Sequence, residues 1–465
     1  MSNPRPTENG ITLSGPDLQS ILRLNRATLD KLYRAGTLTP KHLALRLSHK
    51  EQKRLMSDYL DVPEPILESW RQALLDHLPE LANAARCRLG PISLGDESTP
   101  AGEALYRTGP HRDHFQQMLR SYDWANNDYE TIDLRSYLQP VQDQNPRGFC
   151  WAYSATTSAE VVIGADFKGS EAFVVQSTKT ETDPKDPWPN EDGGSTYLAC
   201  INMCKHGLPT ADEYPMKPDL SIHERPPKHI REKARRNRLG DFIELSDDSC
   251  TPDVNQIGAV LRGNDFFPGR PCTLSIPLFS SFQTVGDDGI VPNPLPGETE
   301  LGWHAMPTVG LTTIRATDYR QPYVIERNSW SPHWGDNGYC YLSTEYIEKY
   351  ARRFYSLISR QEVEQFSQFH IRKSSLIRAT TRIAAAITIG LLGGLAAGVL
   401  PSNHGPIASN VNSFAKNTQV DSEQQTLPRQ SHSVDQREDI SAELDRQLKR
   451  LMQMSEELYG ELGPQ

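Results

Sequence analysis

Apolar residues recur at helical spacing near the start of the chain. Leu18, Ile21, Leu22, Leu29 and Leu32 share one face, and Gly36 offers a stop. Thr39-Pro40 opens a second helix, and Ser48 with Glu51 fits a capping box for a third. Pro63 and Pro65 precede a fourth amphipathic run through Ile66, Leu67, Trp70, Leu74 and Leu78. Residues 1–86 therefore read as a helical module. Residues 87–130, with Pro91, Gly95, Pro100 and Gly109-Pro110, read as a linker wrapping the domain that follows. Ala152 to Glu160 predicts a helix with Cys150 at its N-terminus, and Cys200 and Cys204 share a helix face as core packing. The basic stretch 228–238 is interrupted by Ile230 and Glu232 and reads as a solvated helix face.

The pattern changes toward the C-terminus. Residues 383–400 form an uncharged run of Ala, Ile, Leu, Gly and Val. That is just enough to cross a bilayer, which takes roughly 20 apolar residues. Gly390, Gly394 and Gly398 fall every fourth residue, a stripe that lets helices pack backbone to backbone and predicts self-association. Arg372, Lys373, Arg378 and Arg382 in the juxtamembrane segment 359–382 place the preceding domain on the cytoplasmic side, in a single-pass arrangement. The alternative is a buried or interfacial helix in a cytoplasmic protein. Residues 401–438, rich in Ser, Asn and Gln, read as disordered. Leu444, Leu448, Leu451 and Leu458 predict a last helix within 439–465.

Composition adds bounds. The 465 residues exceed one ordinary domain, and the net charge of −10 gives no reason to expect nucleic acid as a partner. The polar start shows no apolar core of a secretory signal. Seven cysteines, an odd number without disulfide spacing, fit a reducing compartment. No metal-ligand spacing or cofactor motif stands out.

The chemistry concentrates in a few stretches. Cys150 lies in Gly148-Phe149-Cys150-Trp151-Ala152, with Gln144 just upstream. His304 lies in Gly302-Trp303-His304-Ala305, and Asn328 opens Asn328-Ser329-Trp330. A lone thiol with a distant His and Asn is what thiol-based acyl transfer needs. A helix N-terminus beneath the thiol favours its anion. Asp192-Gly193-Gly194-Ser195 supplies glycines that another backbone can approach closely. Asn337-Gly338 signals a type I′ turn.

Together these stretches resemble the papain family of cysteine peptidases, over about residues 131–358, and the run 289–298 is similar to bacterial members. The resemblance implies an α+β fold, with a helical subdomain facing an antiparallel, barrel-like β subdomain. It implies Cys150 as nucleophile, His304 as proton carrier, Asn328 as its orienting partner and Gln144 in the oxyanion hole. Gly148, Gly193, Gly194 and Trp330 are implied at the substrate cleft, Trp330 also shielding the His–Asn bond. The substrate would be a protein or peptide, with no cofactor and no metal. Acyl transfer to an amine on the same fold, or a non-catalytic membrane scaffold, are the alternatives. The family carries a Cys where Arg147 stands and another just before the glycine pair, joined by a disulfide; neither is here. Phe149 and Trp303 replace smaller or more polar residues and are expected to crowd the cleft. The module at 1–86 resembles small helix-hairpin-helix-like domains of unknown function, without the phosphate-binding glycine hairpins, which points to scaffolding or protein interaction. The helix pattern of an inhibitory propeptide cannot be traced before Thr131.

Overall fold

The computed structural model describes residues 10–79, 81 and 123–365, apart from 165, 183–184, 246–251, 265–266 and 317–318. The run 383–400 with Gly390, Gly394 and Gly398, the tail 401–438, the helix expected within 439–465 and most of the 87–130 linker lie outside the described residues. Among the described residues no helix is long and apolar enough to cross a membrane.

The chain opens with β1 (Ile11–Thr12) and the helices α1 (Leu18–Leu22), α2 (Arg26–Arg34), α3 (Pro40–Leu47), α4 (Lys50–Leu60) and α5 (Glu64–His77). The first apolar stripe is thus two helices, not one. Arg23 takes a left-handed conformation, and the Asn25 side chain caps a new start by accepting from the Thr28 N–H. The expected capping box at Ser48 and Glu51 does not form. His49 caps α4 instead, accepting from the Gln52 N–H, while Ser48 closes α3 and donates to the Ala44 carbonyl. Glu51 is drawn away by Thr299, whose N–H and hydroxyl both donate to its carboxylate.

The second part holds β2 (Ile132–Asp133), then α6 (Cys150–Ile163), α7 (Glu171–Glu181), α8 (Thr196–His206) and α9 (Lys228–Ala234). It continues through β3 (Asp241–Glu244), α10 (Val254–Arg262) and the short pair β4 (Gly263–Asn264) and β5 (Phe267–Pro268). It ends with β6 (Cys272–Phe279), β7 (Glu300–Ala316), β8 (Tyr319–Arg327), β9 (Tyr339–Ser343), α11 (Thr344–Tyr350) and β10 (Arg352–Ile358). The architecture is α+β. The main sheet runs β3-β10-β6-β7-β8-β9, antiparallel throughout. Two short strands dock on β7 as well, β1 parallel at Ile314 and β2 antiparallel at Leu311. The expected type I′ turn is present, with positive φ at Asn337 and Gly338 and paired Asp336 and Tyr339.

Because β7 is gripped on both sides, successive residues face different cores. Met306, Leu311, Val324 and Leu342 point into the β subdomain. Val309, Ile314, Tyr323, Ile325 and Tyr341 point out, against Leu18, Leu29, Leu32, Leu43 and Leu67 of the N-terminal helices. The helical module therefore shares a hydrophobic core with the sheet's outer face. A buried polar seam reinforces the joint. Arg46, wholly buried, donates to the Ala35 carbonyl, Thr37 and Gln52, and Gln52 in turn reaches Ser280 at 2.8 Å. His42 Nε2 meets Asp288 at 2.8 Å, and Asn293 donates to the Arg34 carbonyl. These contacts pin residues 280–299, the segment that leads directly into β7. At the other end, Glu362, in the stretch expected to be juxtamembrane, is buried against the Arg270 guanidinium.

A shared core predicts shared unfolding. Leu43→Ala, at a fully buried position, is expected to destabilise by about 2–5 kcal/mol. In urea, the helical module and the sheet should melt in one transition, followed by circular dichroism and tryptophan emission; two separated transitions would contradict the shared core.

Candidate active site

Helix α6 begins where the backbone leaves the loop at Phe149, and no side chain caps its first turn. The first N–H groups of a helix lack internal partners, so the positive end of the helix dipole lies beneath Cys150. Ala152, Ala155 and Ala159 are fully buried small residues, and they let the helix lie close against the sheet. Cys150 and Ala305 are buried in one cluster, which puts the thiol beside the strand that carries His304.

Antiparallel pairing of β7 with β8 does the rest. Asn328 follows the last residue of β8, and the hairpin returns it to His304 across 24 residues of sequence. His304 Nε2 lies 2.8 Å from Asn328 Oδ1. The same oxygen accepts from the Ser329 N–H at 2.8 Å, which fixes the amide's orientation. A carboxamide oxygen can only accept, so Nε2 carries the proton and the neutral ring keeps its lone pair on Nδ1. Nδ1 is buried without a hydrogen-bond partner among the described residues. The Trp330 ring lies 4.5 Å from the imidazole, centre to centre, and Trp334 meets Trp330 edge-on at 5.4 Å. This aromatic wall keeps the His304–Asn328 bond dry, where a hydrogen bond is electrostatically stronger. Burial pushes the His304 imidazole down to about 4, with the Asn328 hydrogen bond pulling it back up.

Gln144 is stitched to the same turn. Its backbone N–H donates to the Ser329 carbonyl at 2.8 Å, and the Ser329 hydroxyl donates to its side-chain oxygen. The amide nitrogen faces the other way and donates to the Arg147 carbonyl at 3.0 Å, one of its two hydrogens. Ser329 thus orients both Gln144 and Asn328, a role that its place in the Asn-Ser-Trp motif did not disclose. Arg327, one residue earlier, ties Thr157 on α6 and the Pro140 carbonyl to the end of β8.

The glycines lie on a separate wall. A Cβ at Gly194 would come within 2.5 Å of the Trp151 ring, so only glycine fits there. The Gly193 carbonyl accepts from Lys179, and the Gly148 N–H approaches Asp192 at 3.3 Å. His304, Asn328, Gln144 and Trp330 are joined around one sheet end, and Cys150 is buried in one cluster with Ala305, next to His304 in sequence. Gly148, Gly193 and Gly194 are linked to it through Trp151 and Asp192. The expectation for Phe149 is overturned. It is buried in the helical core, with the Arg147 guanidinium 4.5 Å over its ring, because the turn into α6 points it inward. Trp303 is half-buried and pairs across the sheet with Pro277.

The chain is similar to known proteins. The family described as "Papain family cysteine protease" matches residues 123–353. The chain is similar to a cathepsin L-like proteinase of Fasciola hepatica, 25% identical over 52% of this chain and 66% of that protein. It is similar also to cathepsin L2 of Homo sapiens, 25% identical over 50% of this chain and 62% of that one. The chain thus spans less than two-thirds of the length of either relative. Among solved structures, xylellain, a cysteine protease from Xylella fastidiosa, aligns with 59% of this chain at 17% identity, with a TM-score of 0.43.

The dry imidazole yields a direct test. In Cys150→Ala, His304 should stay neutral until the pH falls to about 4, read from its imidazole resonances. The unfolded chain takes up that proton near 6.5, so it binds more protons through this window and the variant's stability should fall as pH drops across it. A midpoint near 6.5 in the folded variant would show that the site is wet.

Proposed function

Because residues 123–353 belong to the papain family of cysteine proteases, we propose that this chain is a cysteine-type peptidase acting on protein or peptide substrates through Cys150, His304, Asn328 and Gln144. The observation that carries the reading is the dry His304–Asn328 pair, its unpartnered Nδ1 on the same strand as Ala305, which packs with Cys150. A buried imidazole resists protonation by itself. A thiolate at a helix N-terminus is an anion of the right sign to offset that cost, so thiolate and imidazolium form together.

In the reaction, the Cys150 thiolate attacks the scissile carbonyl carbon, and the π pair moves onto oxygen. The oxyanion accepts from the Gln144 amide and the Cys150 backbone N–H. His304 gives its Nδ1 proton to the leaving nitrogen as the C–N bond breaks, leaving a thioester. Neutral Nδ1 then takes a proton from water, whose oxygen attacks the thioester and expels the thiolate as a free acid forms. Asn328 holds the ring for both transfers, and Gly193 and Gly194 face the substrate backbone.

Labelling with a peptidyl epoxide tests the nucleophile. Wild type should label at Cys150, and Cys150→Ala should lose labelling and at least roughly 10³-fold in turnover. Equal labelling of the variant would remove Cys150 from the reaction. Free acid as the sole product, even with added amine, identifies hydrolysis rather than transfer.

The uncharged run 383–400, with its basic flank, further supports a bilayer tether that keeps the peptidase on the cytoplasmic side, pairing through Gly390, Gly394 and Gly398. The full chain should then pellet with membranes in alkaline carbonate. Complete recovery in the supernatant would refute the tether.

A further inference from the structure

Two cations converge on the segment that ends in the glycine pair. Lys179, on α7, is almost wholly buried, and its ammonium meets Asp186 at 2.5 Å. It donates to the Trp188 carbonyl at 2.7 Å and to the Gly193 carbonyl. Two of the ammonium's three donors go to these carbonyls, and Asp186 stands beside it as the counter-ion. Arg147, between Gln144 and Cys150, grips Asp192 with two nitrogens at 2.6 and 2.5 Å and donates a third bond to the Leu220 carbonyl at 2.9 Å. Asp192 also receives the Gly148 N–H on its carboxylate and the Trp151 indole N–H on its carbonyl. Residues 186–193 are therefore tied by charge to α7 and to the thiol's own loop, and by the indole hydrogen bond to the thiol's helix.

The bond from Lys179 has a geometric consequence. In a planar trans peptide the C=O and the following N–H point in opposite directions. Drawing the Gly193 carbonyl toward Lys179 turns the Gly194 N–H away from it, and the Trp151 ring beneath Gly194 limits how far that peptide can rotate. On the reading proposed above, the side away from Lys179 is the cleft.

We propose that Lys179 and the Arg147–Asp192 pair are positioning residues that set the orientation of the Gly193–Gly194 peptide and so the capture of the substrate main chain. This rests on the peptidase reading and adds the groups that govern recognition as distinct from chemistry. A substrate held by its backbone presents a carbonyl to Gly194, and the two cations fix the donor that meets it. Neither cation touches the reacting atoms.

The experiment compares two thiol reagents on the full chain. Iodoacetamide needs only the thiolate, whereas a peptidyl epoxide must also lie along the glycine edge. Lys179→Met keeps the length of the side chain and removes its donors. Arg147→Gln removes the charge from a partly exposed pair and serves if the buried variant does not fold. In either variant, the peptidyl epoxide rate and kcat/KM should fall by about tenfold or more, mainly through KM. The iodoacetamide rate at Cys150 should stay within about twofold of wild type, a margin small beside the loss of a charge-assisted hydrogen bond. A peptide whose backbone carbonyl facing Gly194 is replaced by methylene should be poor for wild type and no worse for the variants. Parallel slowing of both reagents, or no change in either, overturns the positioning role. A wild-type chain that reacts with neither reagent at Cys150 instead sinks the peptidase reading itself.

Discussion

The hydrogen bond between His304 and Asn328 must stay dry, and much of the β subdomain answers to that demand. His304 lies on β7 and Asn328 directly follows β8, so the bond exists only in one register of β7 against β8. Trp330 and Trp334 exclude water from it, and Phe282 stacks behind Trp334. A dry imidazole is a neutral one unless an anion stands close, which is why the thiol lies at the start of a helix instead of within it. The strand, the aromatic wall and the helix terminus are three parts of one electrostatic arrangement.

Strand β7 transmits that arrangement outward. It carries His304 at one end, and at the other it is paired with β8, β1 and β2. Both of its faces are covered, one by the β subdomain core and the other by the N-terminal helices. The seam from Arg46 and Gln52 to Ser280, and from His42 to Asp288, fixes the segment just before the strand. The helical module thus acts as a wall of the β subdomain.

Much of the site was legible because its residue types are tied to chemistry over short spans. A helix opening at Cys150 and a turn at Asn337-Gly338 follow from local pattern, and both are present. What could not be read depends on encounters between distant segments. Val309, Ile314 and Tyr323 are apolar on a face that a sheet would leave to solvent, and only the docked helices explain them. Ser48 and Glu51 satisfied a local rule that Thr299, far along the chain, outcompeted. Arg147 and Asp192 are 45 residues apart, and Phe149 is buried in a cluster built with helices distant in sequence. Each miss marks a place where a tertiary partner displaced a local preference.

None of the five described cysteines is in a disulfide, and the segment at the glycine pair is held by ion pairs. An enzyme that depends on a reduced thiol while a disulfide braces its cleft is caught between two redox requirements. Here reductant can restore an oxidised Cys150 without loosening the wall beside it. Asp192, although half-buried, is held below its usual carboxylate range by Arg147, so the ionic brace persists into mild acid. Because Lys179 and Asp186 are buried, salt screens that half of the brace little, and it responds to neither thiol concentration nor moderate ionic strength.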